Sequence, residues 1–148
     1  MSSLDAIFRP QSIAVIGAST EPNALGRQIL ENVMNYSFRG RVYPVNPKAK
    51  EILGLRCFPS VLDIADPVDL AIVVVPRDHT LRVVDECGQK GVKGLVVITA
   101  GFRETGGEGV ARELELAELA KHYKFRLVGP NCMGVINTDP HVRLNATF

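Results

Sequence analysis

The stretch Ser12-Ile-Ala-Val-Ile-Gly17-Ala-Ser-Thr20, with Gly26 a few residues on, decides how this sequence folds. Ile13, Ala14, Val15 and Ile16 run apolar without polar alternation, as a strand buried on both faces does. A polar loop follows Gly17. From Gly26 to Tyr36, residues Ile29, Leu30, Val33 and Met34 then fall at helical spacing and make one apolar stripe. Strand, glycine turn and amphipathic helix open a βαβ unit.

The rest of the chain repeats that alternation. Arg41-Val-Tyr-Pro-Val45 reads as a second strand, and residues 68–75, apolar apart from Asp69, as a central one. A helix is expected from Asp78, with Leu81, Val84 and Cys87 inward and Gly88 or Gly91 as its stop. Gly94-Leu-Val-Val-Ile-Thr99 is another buried strand, and a glycine-rich loop leads from it to a helix over about residues 110–123. Arg126-Leu-Val-Gly129 is a further strand and Gly134-Val-Ile-Asn137 a last short one. The expected architecture is therefore α/β: a single Rossmann-like, doubly wound domain over residues 1–148, its mainly parallel sheet covered by helices on both faces. The tail from Thr138 to Phe148 shows no closing helix, and its end reads as a cut through a longer polypeptide.

Composition narrows the function classes. The chain has 148 residues, 46% hydrophobic and 22% charged, with a formal net charge of +1. That is enough chain for a core without disulfide or metal staples, and too little basic charge for bulk attraction to nucleic acid. Cys57, Cys87 and Cys132 are scattered and form no Cys-x-x-Cys, which argues against zinc and fits a reduced, cytoplasmic setting. The first ten residues carry Asp5 and Arg9 and no apolar signal core, and the apolar run ending at Pro76 is too short to span a bilayer.

In a parallel open sheet, ligands gather at the carboxyl ends of the strands. Gly17 permits the tight first turn, Ser19 and Thr20 offer hydroxyls, and Gly26 leaves room for a ligand at the helix start, where free N–H groups attract phosphate. The loop is neither Gly-x-Gly-x-x-Gly nor a P-loop. After the second strand, residues 39–50 hold no carboxylate to grip ribose hydroxyls but do hold Arg39, Arg41, Lys48 and Lys50. A phosphorylated adenosine ribose suits that charge, and both coenzyme A and NADP carry one. Lys48 is the preferred cation, because Asn46-Pro47 stiffens the turn before it. Val75-Pro76-Arg77, Ile98-Thr-Ala-Gly-Phe102 and Gly129-Pro-Asn-Cys-Met-Gly134 share the same rim, and Phe102 fits either a cover over an adenine or pantetheine group or a place in the core. His79, His122 and His141 read as surface residues, Glu104 and Glu108 as solvated or capping, and Cys132 as a packing thiol, so no catalytic set is visible.

Five segments in order, Ile13-Ala-Val-Ile-Gly-Ala-Ser19, Tyr43-Pro-Val-Asn-Pro-Lys48, Val68-Asp-Leu-Ala-Ile-Val-Val-Val-Pro76, Ile98-Thr-Ala-Gly-Phe102 and Gly129-Pro-Asn-Cys-Met-Gly-Val-Ile-Asn137, resemble one known family. It is the N-terminal CoA-binding domain of NDP-forming (ADP-forming) acyl-CoA synthetases, shared by the succinyl-CoA synthetase α subunit. The resemblance covers nearly the whole chain. It implies that Ser19, Thr20, Glu21 and Gly26, with Gly17 and Arg27 beside them, hold CoA phosphates, and that Lys48 pairs with one. It also implies that Val75 and Pro76 line the adenosine, that Ile98, Thr99 and Ala100 accompany the pantetheine arm, and that Asn131 and Cys132 stand near the thiol. The same resemblance implies an acid–thiol ligase reaction through a phosphohistidine in a following domain, with nucleotide bound by an ATP-grasp domain. This chain would then bind CoA or acyl-CoA and not turn over alone. A stand-alone CoA-binding regulator and an NADP-binding oxidoreductase module are the alternatives.

Overall fold

The structure, a computed structural model, describes residues 4–148; the first three residues of the expected 1–148 domain lie outside the described residues. A single-turn helix α1 (Asp5–Phe8) leads into β1 (Ser12–Ile16), α2 (Leu25–Asn35) and β2 (Arg41–Val45). Two short strands, β3 (Glu51–Ile52) and β4 (Leu55–Arg56), form a small hairpin before a 3-10 turn at Val61–Asp63. Then come β5 (Leu70–Val73), α3 (Arg77–Lys90), β6 (Gly94–Val97), α4 (Glu108–Tyr123) and β7 (Arg126–Val128), followed by β8 (Gly134–Asn137) and β9 (Leu144–Thr147).

Five strands make one parallel sheet in the order β2-β1-β5-β6-β7. Successive side chains point to opposite faces, so the unbroken apolar runs feed two cores. Ile13, Val15, Leu70, Ile72 and Val96 join Ile29, Leu30 and Val33 of α2. Ala14, Ile16, Ala71, Val73, Leu95 and Val97 join Val83, Val84 and Cys87 of α3 and Leu116 of α4. The register Ile13↔Leu70, Val15↔Ile72 and Ala71↔Leu95 keeps like faces together across the sheet. Rossmann-like, doubly wound architecture is thus present as expected.

Helix α3 stops at Gly91, not Gly88. Gly91 adopts φ 90°, and its N–H bonds to the Cys87 carbonyl, a left-handed C-terminal cap. Gly88 serves packing instead: a Cβ there would fall 2.2 Å from the Tyr123 ring, so its absence lets α4 close on α3.

Gly134–Asn137 is a short strand, as expected, but it stands outside the parallel sheet: it pairs antiparallel with β9, and this hairpin lies against α2. Val135, Leu144 and Ala146 point inward and are buried, and the Asn32 side-chain amide donates to the Thr147 carbonyl at 2.9 Å. Residues 134–147 therefore help cover the α2 face of the sheet, although they contain no helix.

The chain passes from β1 through α2 to β2 on one side, then returns to β5 on the other. The connections after β1 and β5 lead to α2 and α3 on opposite faces of the sheet, and a crevice is expected at this point where strand order reverses.

Candidate functional site

Gly17 and Gly26 shape the crevice. Gly17 has φ 101°, and a Cβ on it would lie 2.5 Å from the Val74 carbonyl oxygen, so the loop leaving β1 hugs the end of β5. Gly26 does not leave room for a ligand, as the sequence had implied. A Cβ there would lie 1.9 Å from the Gly17 carbonyl oxygen, so the space is filled by the loop's own backbone. Helix α2 begins without a side-chain cap at Ala24 and without an acid in its first turn, which favours an anion at its N-terminus.

Within that loop, the Ser19 hydroxyl oxygen accepts from the Glu21 N–H at 3.0 Å. Thr20 and Glu21 are exposed. Arg27 is committed elsewhere: its Nε pairs with Glu31 at 2.7 Å and its Nη1 donates to the Thr20 carbonyl at 3.0 Å. It braces the loop from the helix side.

A cleft of about 500 Å³ opens between the ends of β1, β2 and β5 and one face of α3. Gly17, Ser19, Val75 and Pro76 line it, four of the residues expected from sequence. Asn46 and Pro47 supply the opposite wall. Asn46 ties the two loops together: its Nδ2 donates to the Ala18 carbonyl at 2.8 Å, and its Oδ1 accepts from the Lys48 N–H at 2.8 Å. Lys48 itself is exposed beside Pro47, outside the cleft lining. Sequence reasoning missed Ser60, Arg82 and Glu86, which line the cleft, and read His79 as plain surface although it lines the cleft as well. Their common signal is faint, since His79, Arg82 and Glu86 meet the cleft only because α3 turns that face toward it.

The rim over β6 and β7 is a separate locus. The Thr99 hydroxyl donates to the Val75 carbonyl at 2.7 Å, and the Asn131 N–H donates to the Thr99 carbonyl at 3.1 Å, so three strand ends are laced together. Ala100 and Asn131 are exposed there, whereas the Ile98 side chain is buried in the core. The Cys132 thiol is half-buried against the Val97 carbonyl at 3.3 Å, and burial pushes its pKa up, as befits a packing thiol. Phe102 is fully buried in the α3–α4 core and covers no ligand, because the turn at residues 101–105 folds it inward. Glu104 caps that turn: its carboxylate accepts the Gly101 and Phe102 N–H groups at 3.1 and 2.7 Å, which hold it below the usual carboxylate range. Among the described residues no cluster of three or more His, Cys, Asp or Glu side chains is placed to hold a metal ion, and no helix is long and apolar enough to cross a membrane.

The family described as "CoA binding domain" matches residues 11–138. The chain belongs to this family. It is 51% identical over 145 residues to the α subunit of ADP-forming acetate–CoA ligase II from Pyrococcus furiosus, covering 98% of this chain and 31% of that protein. Among solved structures, the acetyl-coenzyme A synthetase 1 of Ca. Korarchaeum cryptofilum, in complex with phosphate and ADP, superposes with TM-score 0.91 at 48% identity, over 97% of this chain and 30% of that one. A hypothetical protein from Pyrococcus horikoshii OT3 superposes with TM-score 0.69 at 28% identity, over 90% of this chain and 87% of that one. This CoA binding domain spans about a fifth to a third of the curated ligase relatives it matches.

Proposed function

We propose that this domain holds CoA, as a substrate, stretched along the carboxyl edge of the sheet within an ADP-forming acyl-CoA ligase. The observation that carries the proposal is the cleft at the strand-order reversal, with the uncapped start of α2 beside it. The adenosine end occupies the cleft between Pro47 and Val75-Pro76. The pyrophosphate meets the Gly17–Ser19 turn and the N-terminus of α2, where backbone N–H groups and the helix dipole favour negative charge. Lys48 stands at the outer rim to meet a phosphate. The pantetheine arm runs toward Thr99 and Ala100, and the thiol emerges near Asn131 and Cys132.

In this reading the whole protein joins an acid to CoA at the expense of ATP, through a phosphohistidine and an ATP-grasp unit outside the 148 residues, in the cytoplasm. The near-complete overlap with a hypothetical protein of similar extent keeps a second reading in view, a CoA-responsive module that works by itself. Calorimetric titration of this chain with CoA, dephospho-CoA, NADP and NAD at one salt concentration tests the ligand. Binding of CoA well ahead of both dinucleotides supports the proposal. NADP binding with CoA silent overturns it in favour of a redox module.

A further inference from the structure

One wall of the cleft carries linked polar groups that phosphate binding leaves unused. On α3, His79, Arg82, Val83 and Glu86 stand at helical spacing on a single face, and all four line the cleft. Ser60 reaches this wall from the loop before the 3-10 turn. Its hydroxyl donates to Glu86 Oε1 at 3.0 Å while its oxygen accepts from the Leu62 N–H at 3.1 Å. Arg82 Nη1 donates to Glu86 Oε2 at 3.3 Å. Glu86 keeps only 20% of its side-chain exposure against 64% for Arg82, and it is the one carboxylate among the described residues that line the cleft.

An ordinary Arg–Glu pair four residues apart on a helix stands in solvent and contributes little. This one differs in that its carboxylate is largely covered, although Arg82 stays exposed, and in receiving a third partner from another element. Two of the roughly four acceptor positions on the Glu86 carboxylate are engaged, and the others remain for a ligand. Arg82 sets N–H donors next to them. Donor beside acceptor complements the edge of a 6-aminopurine, whose exocyclic amine donates while its ring nitrogens accept. The match is to the N7 and C6 edge, where a 6-oxopurine presents two acceptors, N7 and O6, and would bring its oxygen against the carboxylate instead.

We propose that Glu86, positioned by Ser60 and Arg82, accepts a hydrogen bond from the exocyclic amine of the CoA adenine, so that this wall selects 6-aminopurine over 6-oxopurine nucleotides. This rests on the CoA reading above. The flanking Pro59 and Pro76 provide apolar surface for the base, and Glu86 supplies the specificity that apolar walls lack.

The test compares CoA with its deaminated analogue, in which hypoxanthine replaces adenine, by calorimetric titration of the chain. Wild type should bind CoA at least about tenfold more tightly, the range for one hydrogen bond to a charged group. In Glu86→Gln that ratio should fall to about threefold or less, because a carboxamide can turn its NH2 toward the oxo group. Ser60→Ala should narrow the ratio and Ser60→Thr restore it, a pattern that mere loss of packing does not produce. Equal binding of the two ligands by wild type overturns the proposal and leaves the CoA reading standing; that comparison needs no variant to fold. A ratio unchanged in a Glu86→Gln protein with a wild-type melting profile also overturns it. Failure of wild type to bind CoA at all overturns the CoA reading itself, and this inference with it.

Discussion

Gly26 and Gly17 touch through backbone alone: a Cβ on Gly26 would stand 1.9 Å from the Gly17 carbonyl oxygen. The start of α2 is thereby pressed onto the loop that leaves β1, which sets where the helix N-terminus points. Gly26→Ala should force the two apart and lower unfolding free energy by about 2–3 kcal/mol, as overpacking against rigid backbone does. CoA affinity should fall as well, because the amides at the helix start move with it. Urea unfolding and titration of the same variant check both. A variant of undiminished stability would show that the loop yields without strain.

Thr99 bridges two strand ends through its 2.7 Å bond to the Val75 carbonyl. Thr99→Val keeps the branched shape, removes the donor and leaves that carbonyl without it. A loss of about 1 kcal/mol in stability is expected. Because Val75 also lines the cleft, CoA affinity should weaken more than in a control such as Thr138→Val, far along the chain. Parallel thermal melts and titrations separate the two effects. If stability falls while affinity holds, the lacing between β5 and β6 matters to the fold only.

Much of this is legible in the sequence. Strands buried on both faces cannot alternate polar with apolar residues, so Ile13 to Ile16 and Leu70 to Val73 declared the parallel sheet by composition alone. The glycine turn at Gly17 and the rim at Val75-Pro76 followed from the rule that ligands collect where parallel strands end. Strand β8 was legible, but its partner β9 and their pairing were not, since the inward residues Leu144 and Ala146 are few and set apart from Val135 by a polar turn. Gly26 was noticed for the wrong reason: sequence says that a side chain is missing, not which neighbour fills the gap. Phe102 was ambiguous, because a rim phenylalanine and a core phenylalanine look alike until the turn at Glu104 is seen to tuck it in. Ser60 and Glu86 were invisible as a pair, being 26 residues apart and joined only when α3 packs beside the 3-10 turn.

Lys48 stands exposed just past Pro47, with its own N–H held by Asn46. An exposed ammonium contributes less than a buried one, so Lys48→Ala should weaken CoA by about 1–1.5 kcal/mol. If Lys48 meets the 3′-phosphate, dephospho-CoA should be nearly unaffected, and raising salt should shrink the difference. Titrating both ligands at two salt concentrations measures this. Equal weakening of both ligands would move Lys48 to the pyrophosphate, and no change in either would return it to solvent.

Glu104 gives the turn after β6 a pH dependence whose sign follows from its hydrogen bonds. The Gly101 and Phe102 N–H groups stabilise its charged form, so its pKa in the folded chain lies below the unfolded value of about 4.3. A carboxylate depressed on folding contributes fully above its unfolded pKa, and that contribution disappears as pH falls through the lower folded pKa. Wild type should therefore melt at a higher temperature than Glu104→Gln near neutral pH, with the gap closing as the solution is acidified below about pH 4. Protection of the Phe102 amide, taken relative to its intrinsic exchange rate at each pH, should fall over the same interval, because its N–H loses the charged acceptor. Melting curves of the two proteins across that range decide the point. A gap that stays constant into acid would mean that Glu104 holds the turn by shape and not by charge.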